Sequence, residues 1–262
     1  MHDTDYRRAR RAALTLGMAI GVCAATAPGA HAAAACDAPW MHTGGGFTTT
    51  FTPGRRTVAY TVTRFAKRDG ENCDGDVHAV MKMSMGGQPM RSESDLRFSI
   101  ADGKTVQPAR RSAGALHASG GAARFDAVLS AQTSGILSYV GEITHEGQRL
   151  AGTRTEGSMS GTVSNTGHAL GALNVPTFVT TTSDKTVGKA AQLRTPAGTF
   201  ECWPVAYERA MQASHAQLAS HTVNLSMKSR VVDHFCPATG LVMREDTTVN
   251  GKTTSMTVGA LH

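Results

Sequence analysis

Three methionines alternate along one short segment of the sequence, at Met81, Met83 and Met85. Thioether sulfurs are soft ligands, so this spacing in an oxidising compartment is typical of a Cu(I) site. On a β-strand the three side chains share one face, and His78 lies on the other. The same arrangement suits an apolar core or the wall of a ligand pocket, because methionine adapts to irregular apolar surfaces. The pattern favours an apolar wall and leaves a periplasmic Cu(I)-binding protein as the alternative.

No other group of residues matches a known catalytic or metal-binding pattern. The glycine-flanked segment 157–161 has Met159 at its centre, where a hydrolase elbow needs its serine nucleophile. The acidic segment 69–76 resembles a calcium loop, but Met81 stands where that loop needs glutamate. The histidines lack the spacing of a preformed zinc site. We therefore expect a protein that is not an enzyme and that carries no cofactor.

The N-terminus has the pattern of a cleavable signal peptide. A cluster of arginines precedes an apolar run over 12–27, and a small-x-small cleavage site ends at Ala32. Cleavage there leaves a mature chain 33–262, in which we expect no transmembrane segment. The predicted location is the periplasm or the exterior of the cell.

Four cysteines remain after cleavage, Cys36, Cys73, Cys202 and Cys236, and an even number favours two disulfides. Lipid anchoring at Cys36 is less favoured, since it would leave one cysteine unpaired. Facing residues of an antiparallel pair have a constant sum of residue numbers. That sum is 107 for a turn at Pro53-Gly54, 109 for the first two cysteines and 438 for the last two. We expect two disulfides between cysteines close in sequence, Cys36–Cys73 and Cys202–Cys236. The two long-range ways of pairing the four cysteines are the alternatives.

Charge and composition exclude some classes of partner. The 26 Lys and Arg exceed the 20 Asp and Glu, but the basic doublets are scattered among acids. A nucleic-acid-binding surface would instead have clustered basic residues, so we expect no nucleic-acid partner. Aromatic residues make up only 5% of the chain, which counts against a stacking platform for bases.

The elements that must position these residues are predominantly strands. Alternating β-formers predict strands over 47–51, 56–65, 77–85, 95–100, 124–130, 136–144, 150–155, 189–194, 199–207, 223–235, 241–249 and 252–258. Asn250-Gly251 is the strongest hairpin signal in the chain. The expected fold is all-β and mainly antiparallel, a curved meandering sheet or half-open β-barrel in one domain over 33–262.

Three segments lack a clear strand pattern. Segments 103–122 and 157–176 are rich in turn-forming residues and are predicted to be loops. Segment 208–220, rich in Ala and Gln, either forms one short helix or extends a long hairpin.

Two segments of the C-terminal region, 195–262, contain matching turn signals. The first has Pro196 and Gly198 in a PAGTF sequence, and the second has Pro237 and Gly240 before a GLV sequence. Proline presets the first turn position and glycine accepts a left-handed one, so each segment predicts a structural turn.

These segments, 195–202 and 232–242, resemble a pattern of TapB-like exported bacterial proteins, which are similar in turn to LolA/LolB-type periplasmic carriers. The resemblance implies a half-open β-barrel that wraps a helix and encloses an apolar cavity for acyl chains. A lipid or a lipidated protein is the partner that it implies. It assigns no catalytic residue.

Overall fold

The structure is a computed structural model that describes residues 35–53, 56–68, 72–85, 88–100, 110–120, 123–134, 139–165, 168–218 and 221–262. The predicted signal peptide, 1–32, lies outside the described residues. Among the helices of the described part, none is long and apolar enough to cross a membrane.

Fifteen strands form one antiparallel sheet, which confirms the predicted all-β class. The described residues contain one other element, a 3-10 helix at Ala35–Asp37. The strands are β1 Gly46–Thr52, β2 Arg56–Lys67, β3 Cys73–Met85, β4 Gln88–Ile100, β5 Arg110–Gly120, β6 Ala123–Ser134, β7 Arg149–Leu150, β8 Arg154–Asn165, β9 His168–Thr182, β10 Lys185–Val187, β11 Ala191–Thr195, β12 Gly198–Leu218, β13 His221–Cys236, β14 Leu241–Val249 and β15 Lys252–Leu261.

Most strands of this curled sheet pair with their neighbours in sequence. The order of pairing runs from β13 through β14, β15 and β1 to β6, then through β8 and β9 to β12. Strand β12 also pairs with β13, which brings the two ends of this order together. Alternating residues along the strands therefore face either the inside of the curl or its outside.

The registers of two hairpins follow the constant sums predicted from the sequence. β1 and β2 pair Phe51 with Arg56, a sum of 107. β12 and β13 pair Trp203 with Phe235, a sum of 438, which places Cys202 directly opposite Cys236. Segment 208–218 continues β12, so the helix alternative is wrong and the long hairpin is correct.

Both disulfides of the structure have the local pairing. Cys36 joins Cys73 across a Cα–Cα distance of 5.9 Å, and Cys202 joins Cys236 across 4.1 Å. Cys202 and Cys236 are buried together with Met243. Each disulfide therefore closes a local excursion of the chain.

Three predictions of local structure are wrong. The predicted loop 103–122 contains β5, and the predicted loop 157–176 contains most of β8 and β9. Strand pairing on both edges overrides the weak β-propensity of glycine and serine here. Gly161 on β8 also lies so close to Ala127 on β6 that a Cβ would come within 2.7 Å of the alanine Cβ. Conversely, the described part of the predicted strand 136–144 forms turns instead.

The predicted turns over 195–198 and 236–241 are present. Gly198 and Gly240 both have positive φ, 139° and 67°, as the turn chemistry requires. Asn250 and Gly251 also have positive φ, 48° and 76°, and connect β14 to β15 in a two-residue hairpin. Gly54 lies outside the described residues, so the turn type predicted at Pro53-Gly54 stays a prediction.

The inside of the curl is covered at one end by the segment 139–150 and strand β10. Tyr139, Val140, Leu150 and Val187 pack there against Val205 of β12 and Phe235 of β13, all at most 4% exposed. This packing places polar side chains of β12, β13 and β14 deep inside the sheet.

Candidate functional site

A group of titratable side chains lies on the inner face of the sheet beneath segment 139–150. We call it the charged cluster, and its members are Tyr139, Lys185, Tyr207, Arg209, Asp233 and Glu245. Strand pairing explains how the members on β12, β13 and β14 come together, because Asp233 of β13 faces Val205 of β12 on one side and Glu245 of β14 on the other.

Asp233 is the centre of this cluster and is only 5% exposed. The hydroxyl of Tyr139 donates a hydrogen bond to its Oδ2 across 2.5 Å. Its Oδ1 is buried and forms no hydrogen bond within the described part of the chain. Burial raises the pKa of Asp233 to about 6, against the opposing effect of the Tyr139 hydrogen bond.

Lys185 is a buried cation whose charge interacts with this carboxylate. It is 5% exposed, and its Nζ lies 3.4 Å from the Tyr139 hydroxyl. The same Nζ lies 4.8 Å from the ring centre of Tyr139 and 5.0 Å from that of Tyr207, in cation–π contacts. Burial lowers the pKa of Lys185, while the charge of Asp233 raises it. Burial also raises the pKa of both tyrosines, which therefore remain neutral hydrogen-bonding groups.

Arg209 and Glu245 form an ion pair beside Asp233. Arg209 Nη2 donates to Glu245 Oε1 across 2.7 Å and to Thr247 Oγ1 across 3.1 Å. The Thr247 hydroxyl donates in turn to Glu245 Oε1 across 2.7 Å. The hydrogen-bonding groups of this pair are thus largely occupied by each other.

A half-open apolar cavity of about 330 Å³ adjoins the cluster, and Met227 at its mouth is 42% exposed. We call it the methionine cavity, because three of its apolar lining residues are methionines contributed by three different strands. Strands β1, β2, β9 and β12 to β15 line it, with side chains of Phe51, Arg56, Thr180, Arg209, Met211, Met227, Ser229, Glu245, Thr247, Thr254 and Met256. Arg209 and Glu245 belong to both the cavity and the charged cluster.

Arg56 differs from Arg209 although both line the methionine cavity. Its guanidinium carbon lies 3.7 Å from the centre of the Phe51 ring. Its Nε is buried and has no hydrogen-bond partner among the described residues. Among the described residues Arg56 forms no ion pair, and its side chain is half-buried.

A second groove of about 460 Å³, the outer groove, is lined mainly by polar residues of the same strands. Arg209 and Ser229 line both this groove and the methionine cavity. Thr181, Glu208, Lys228 and Arg230 line the outer groove alone, so substitutions there leave the lining of the cavity unchanged.

The methionines singled out in the sequence lie elsewhere on the inner face. Met81 of β3 pairs with Val58 of β2, and Met83 pairs with Met90 of β4. The side chains of Met81, Met83 and Met90 are half-buried, whereas that of Met85 lies outside the described residues. Within the described residues, no group of three or more His, Cys, Asp or Glu side chains is arranged to hold a metal ion.

Sequence reasoning missed both the charged cluster and the methionine cavity. A signal for part of the site was available, because the sum of 438 that pairs the cysteines also pairs Met211 with Met227 and Val205 with Asp233. No comparable signal connects Tyr139 to Asp233, since they come from segments 94 residues apart.

A family model described as DUF3108-like matches residues 157–258 of the chain. Both turn segments, 195–202 and 232–242, lie within the matched region. The description of this family names no catalytic activity, and the resemblance to TapB-like and LolA/LolB-type proteins stays a prediction. No curated protein matches the chain.

Two crystal structures are similar to most of the chain. One is of a protein assigned as exported, with a YmcC-like fold, from Bacteroides fragilis, at 12% identity and a TM-score of 0.49, covering 84% of this chain and 96% of that one. The other is of a protein assigned as a lipoprotein from Parabacteroides distasonis, at 12% identity and a TM-score of 0.42, covering 86% of this chain and 97% of that one. Likeness at this level says nothing about ligand or activity.

Proposed function

We propose that this protein is an exported, non-catalytic binding protein that holds the apolar chain of a lipid-like ligand in the methionine cavity. The observation that carries the proposal is a half-open cavity of about 330 Å³ in the curled sheet, lined by Phe51 and three methionines. Ligand sites are typically concave, mostly apolar and furnished with a few polar groups.

The size and lining of the cavity fit one short acyl chain. If a methylene group takes about the 30 Å³ of a water molecule, there is room for roughly ten of them. Methionine side chains are unbranched and adapt to chains of different shape. Met211 and Met227 face each other across β12 and β13, and Met256 faces Phe51 across β15 and β1.

The polar groups beside the cavity support binding rather than catalysis. Arg209 and Glu245 hydrogen-bond to each other, and Asp233 accepts from Tyr139 away from the cavity lining. None of the residues that line the cavity is a cysteine, a histidine or a serine held next to a base.

The disulfides support an oxidising compartment and a protein that is free of a lipid anchor. Two local disulfides are typical of exported chains. Because Cys36 is bonded to Cys73, its sulfur is not available for attachment of a diacylglycerol group. These disulfides support a location of the mature chain, 33–262, in the periplasm or outside the cell.

Native mass spectrometry of the mature, disulfide-bonded chain tests this function. We expect one molecule of dodecanol or dodecanoate to bind per chain. Thr180→Phe fills the cavity from β9 and should abolish the adduct. Thr181→Phe, on the same strand but facing the outer groove, should leave it unchanged. The proposal would be contradicted if the unaltered protein bound neither dodecanol nor dodecanoate. It would also be contradicted if the two variants showed the same amount of bound adduct.

A second candidate function is Cu(I) binding by the methionines of β3. The pairing of Met83 with Met90 favours it, because it adds a facing thioether to the Met81, Met83 and Met85 series. Replacing Met81, Met83 and Met85 together by leucine should then abolish Cu(I) uptake in an anaerobic competition with bicinchoninate. Stability should change little, because leucine and methionine are close in volume. Loss of stability with unchanged uptake would assign these methionines to packing alone.

A further inference from the structure

We propose that Arg56 recognises an anionic head group, so that the ligand of the methionine cavity is a single-chain amphiphile ending in a carboxylate or a phosphate. This inference rests on the proposed function and narrows it to one chemical class. It concerns a residue that no sequence pattern singled out.

The two arginines that line the cavity differ in their partners. Arg209 is held by Glu245 and Thr247, which accept from its Nη2 at 2.7 Å and 3.1 Å. Arg56 has neither an acidic partner nor an acceptor for its Nε among the described residues. With Glu245 compensated by Arg209, the excess charge of the lining is the single positive charge of Arg56.

The Arg56 side chain is half-buried, and its Nε is fully enclosed. A buried N–H without an acceptor is unfavourable, because it has lost its hydrogen bonds to water and gained none in the protein. A carboxylate or phosphate oxygen is the strongest acceptor for it, since hydrogen bonds between ionised partners are shorter and stronger than neutral ones. The planar fork of arginine can also engage two oxygens of such a group at once.

Arg56 lies beside the apolar wall of the cavity. Phe51 of β1 pairs with Arg56 on one side and with Met256 of β15 on the other. The guanidinium is held against the Phe51 ring at 3.7 Å, which fixes its location at the edge of the apolar lining. A ligand whose head group binds Arg56 would therefore have its apolar chain along Phe51 and Met256.

Isothermal titration with four dodecyl probes tests the inference on the mature chain. Dodecanoate and dodecyl phosphate supply the two anionic head groups, dodecanol is neutral and dodecylammonium is cationic. We expect both anionic probes to bind at least tenfold more tightly than dodecanol, and dodecylammonium to bind more weakly than dodecanol. The anion with the higher affinity identifies the preferred head group.

The variant Arg56→Gln should weaken binding of the anionic probes by about ten- to a hundredfold and leave dodecanol unchanged. Arg230→Gln, an exposed arginine of the outer groove, is the matched control and should bind like the unaltered protein. Arg56→Lys keeps the charge and should retain part of the preference for anionic probes. This result would show that a loss in Arg56→Gln comes from the missing charge and not from a folding defect.

The outcomes separate this inference from the proposed function. Dodecanol binding as tightly as the anions would overturn the role of Arg56 and leave the apolar carrier in place. Equal loss of all four probes in Arg56→Gln, with Arg56→Lys equally impaired, would also overturn it. If no probe binds to the unaltered protein, the proposed function fails and this inference fails with it.

Discussion

The hydroxyl of Tyr139 donates a 2.5 Å hydrogen bond to Oδ2 of Asp233 and so fixes the covering segment 139–150 to strand β13. The two residues are 94 positions apart, and both are at most 5% exposed. Tyr139 and Tyr207 both stabilise this buried carboxylate by hydrogen bonding, and its charge would otherwise be unfavourable away from water. The pair of Tyr139 and Asp233 is therefore a sensitive point for the stability of the fold.

We expect Tyr139→Phe to lower the free energy of unfolding by about 1–3 kcal/mol, because it removes a hydrogen-bond donor from the buried Asp233 carboxylate. Urea denaturation at pH 7 measures the change. In a double-mutant cycle with Asp233→Ala, the two effects should not add, since each variant removes the hydrogen bond between these side chains. Simple additivity would show that the two side chains act independently.

The raised pKa of Asp233 predicts a specific dependence of stability on pH. Its pKa is about 6 in the folded chain and near 3.8 in the unfolded chain, so the folded state binds the proton more tightly. The stabilisation is fully present below the lower value and is lost as the pH rises through 6. Protonation of Asp233 should therefore make the free energy of unfolding on the order of 2–3 kcal/mol higher at pH 4 than at pH 7. The difference in unfolding free energy between the unaltered protein and Asp233→Asn should follow this course, and a flat difference would refute it.

Removing either disulfide should destabilise the protein by a similar amount. The cysteines are separated by 37 and 34 residues, for which loop entropy predicts about 4 kcal/mol each. The double variants Cys36→Ala with Cys73→Ala and Cys202→Ala with Cys236→Ala can be compared by denaturation. A much larger loss in the second would assign additional stabilisation to the packing of this disulfide against Met243.

Gly161 should not tolerate a side chain. A Cβ there would lie 2.6 Å from the backbone oxygen of Asp126 and 2.7 Å from the Cβ of Ala127, so we expect Gly161→Ala to cost about 1–3 kcal/mol. Gly259→Ala is the matched control, because its nearest neighbour would be an oxygen at 3.7 Å. Thermal unfolding of both variants measures the contrast. Equal midpoints would mean that β6 and β8 separate easily at this position.

The sequence was sufficient for those parts of the fold in which local patterns determine pairing. The hairpin of β12 and β13 illustrates this, since two cysteines at a fixed sum of 438 predicted the register that also pairs Met211 with Met227. It failed for β5, β8 and β9, where glycine and serine mask the β-pattern and pairing partners decide the structure.

The candidate site was beyond sequence reasoning for a different physical reason. Arg56 and Arg209 have the same side chain, and only their three-dimensional neighbours make one paired and the other unpartnered. Likewise, Lys185 and Tyr139 reach Asp233 only because the sheet curls and segment 139–150 folds over its inner face.

The pairing of β1 with β15 has a consequence for how the chain reaches this fold. Phe47 faces Leu261 there, so one of the earliest strands to leave the ribosome lies beside one of the latest. Until β15 arrives, β1 has an unsatisfied edge that can pair with a second molecule. Contacts so distant in sequence form slowly, because a long loop must close first. Holding the chain extended during synthesis and transport would therefore protect it from aggregation more than rapid early collapse would.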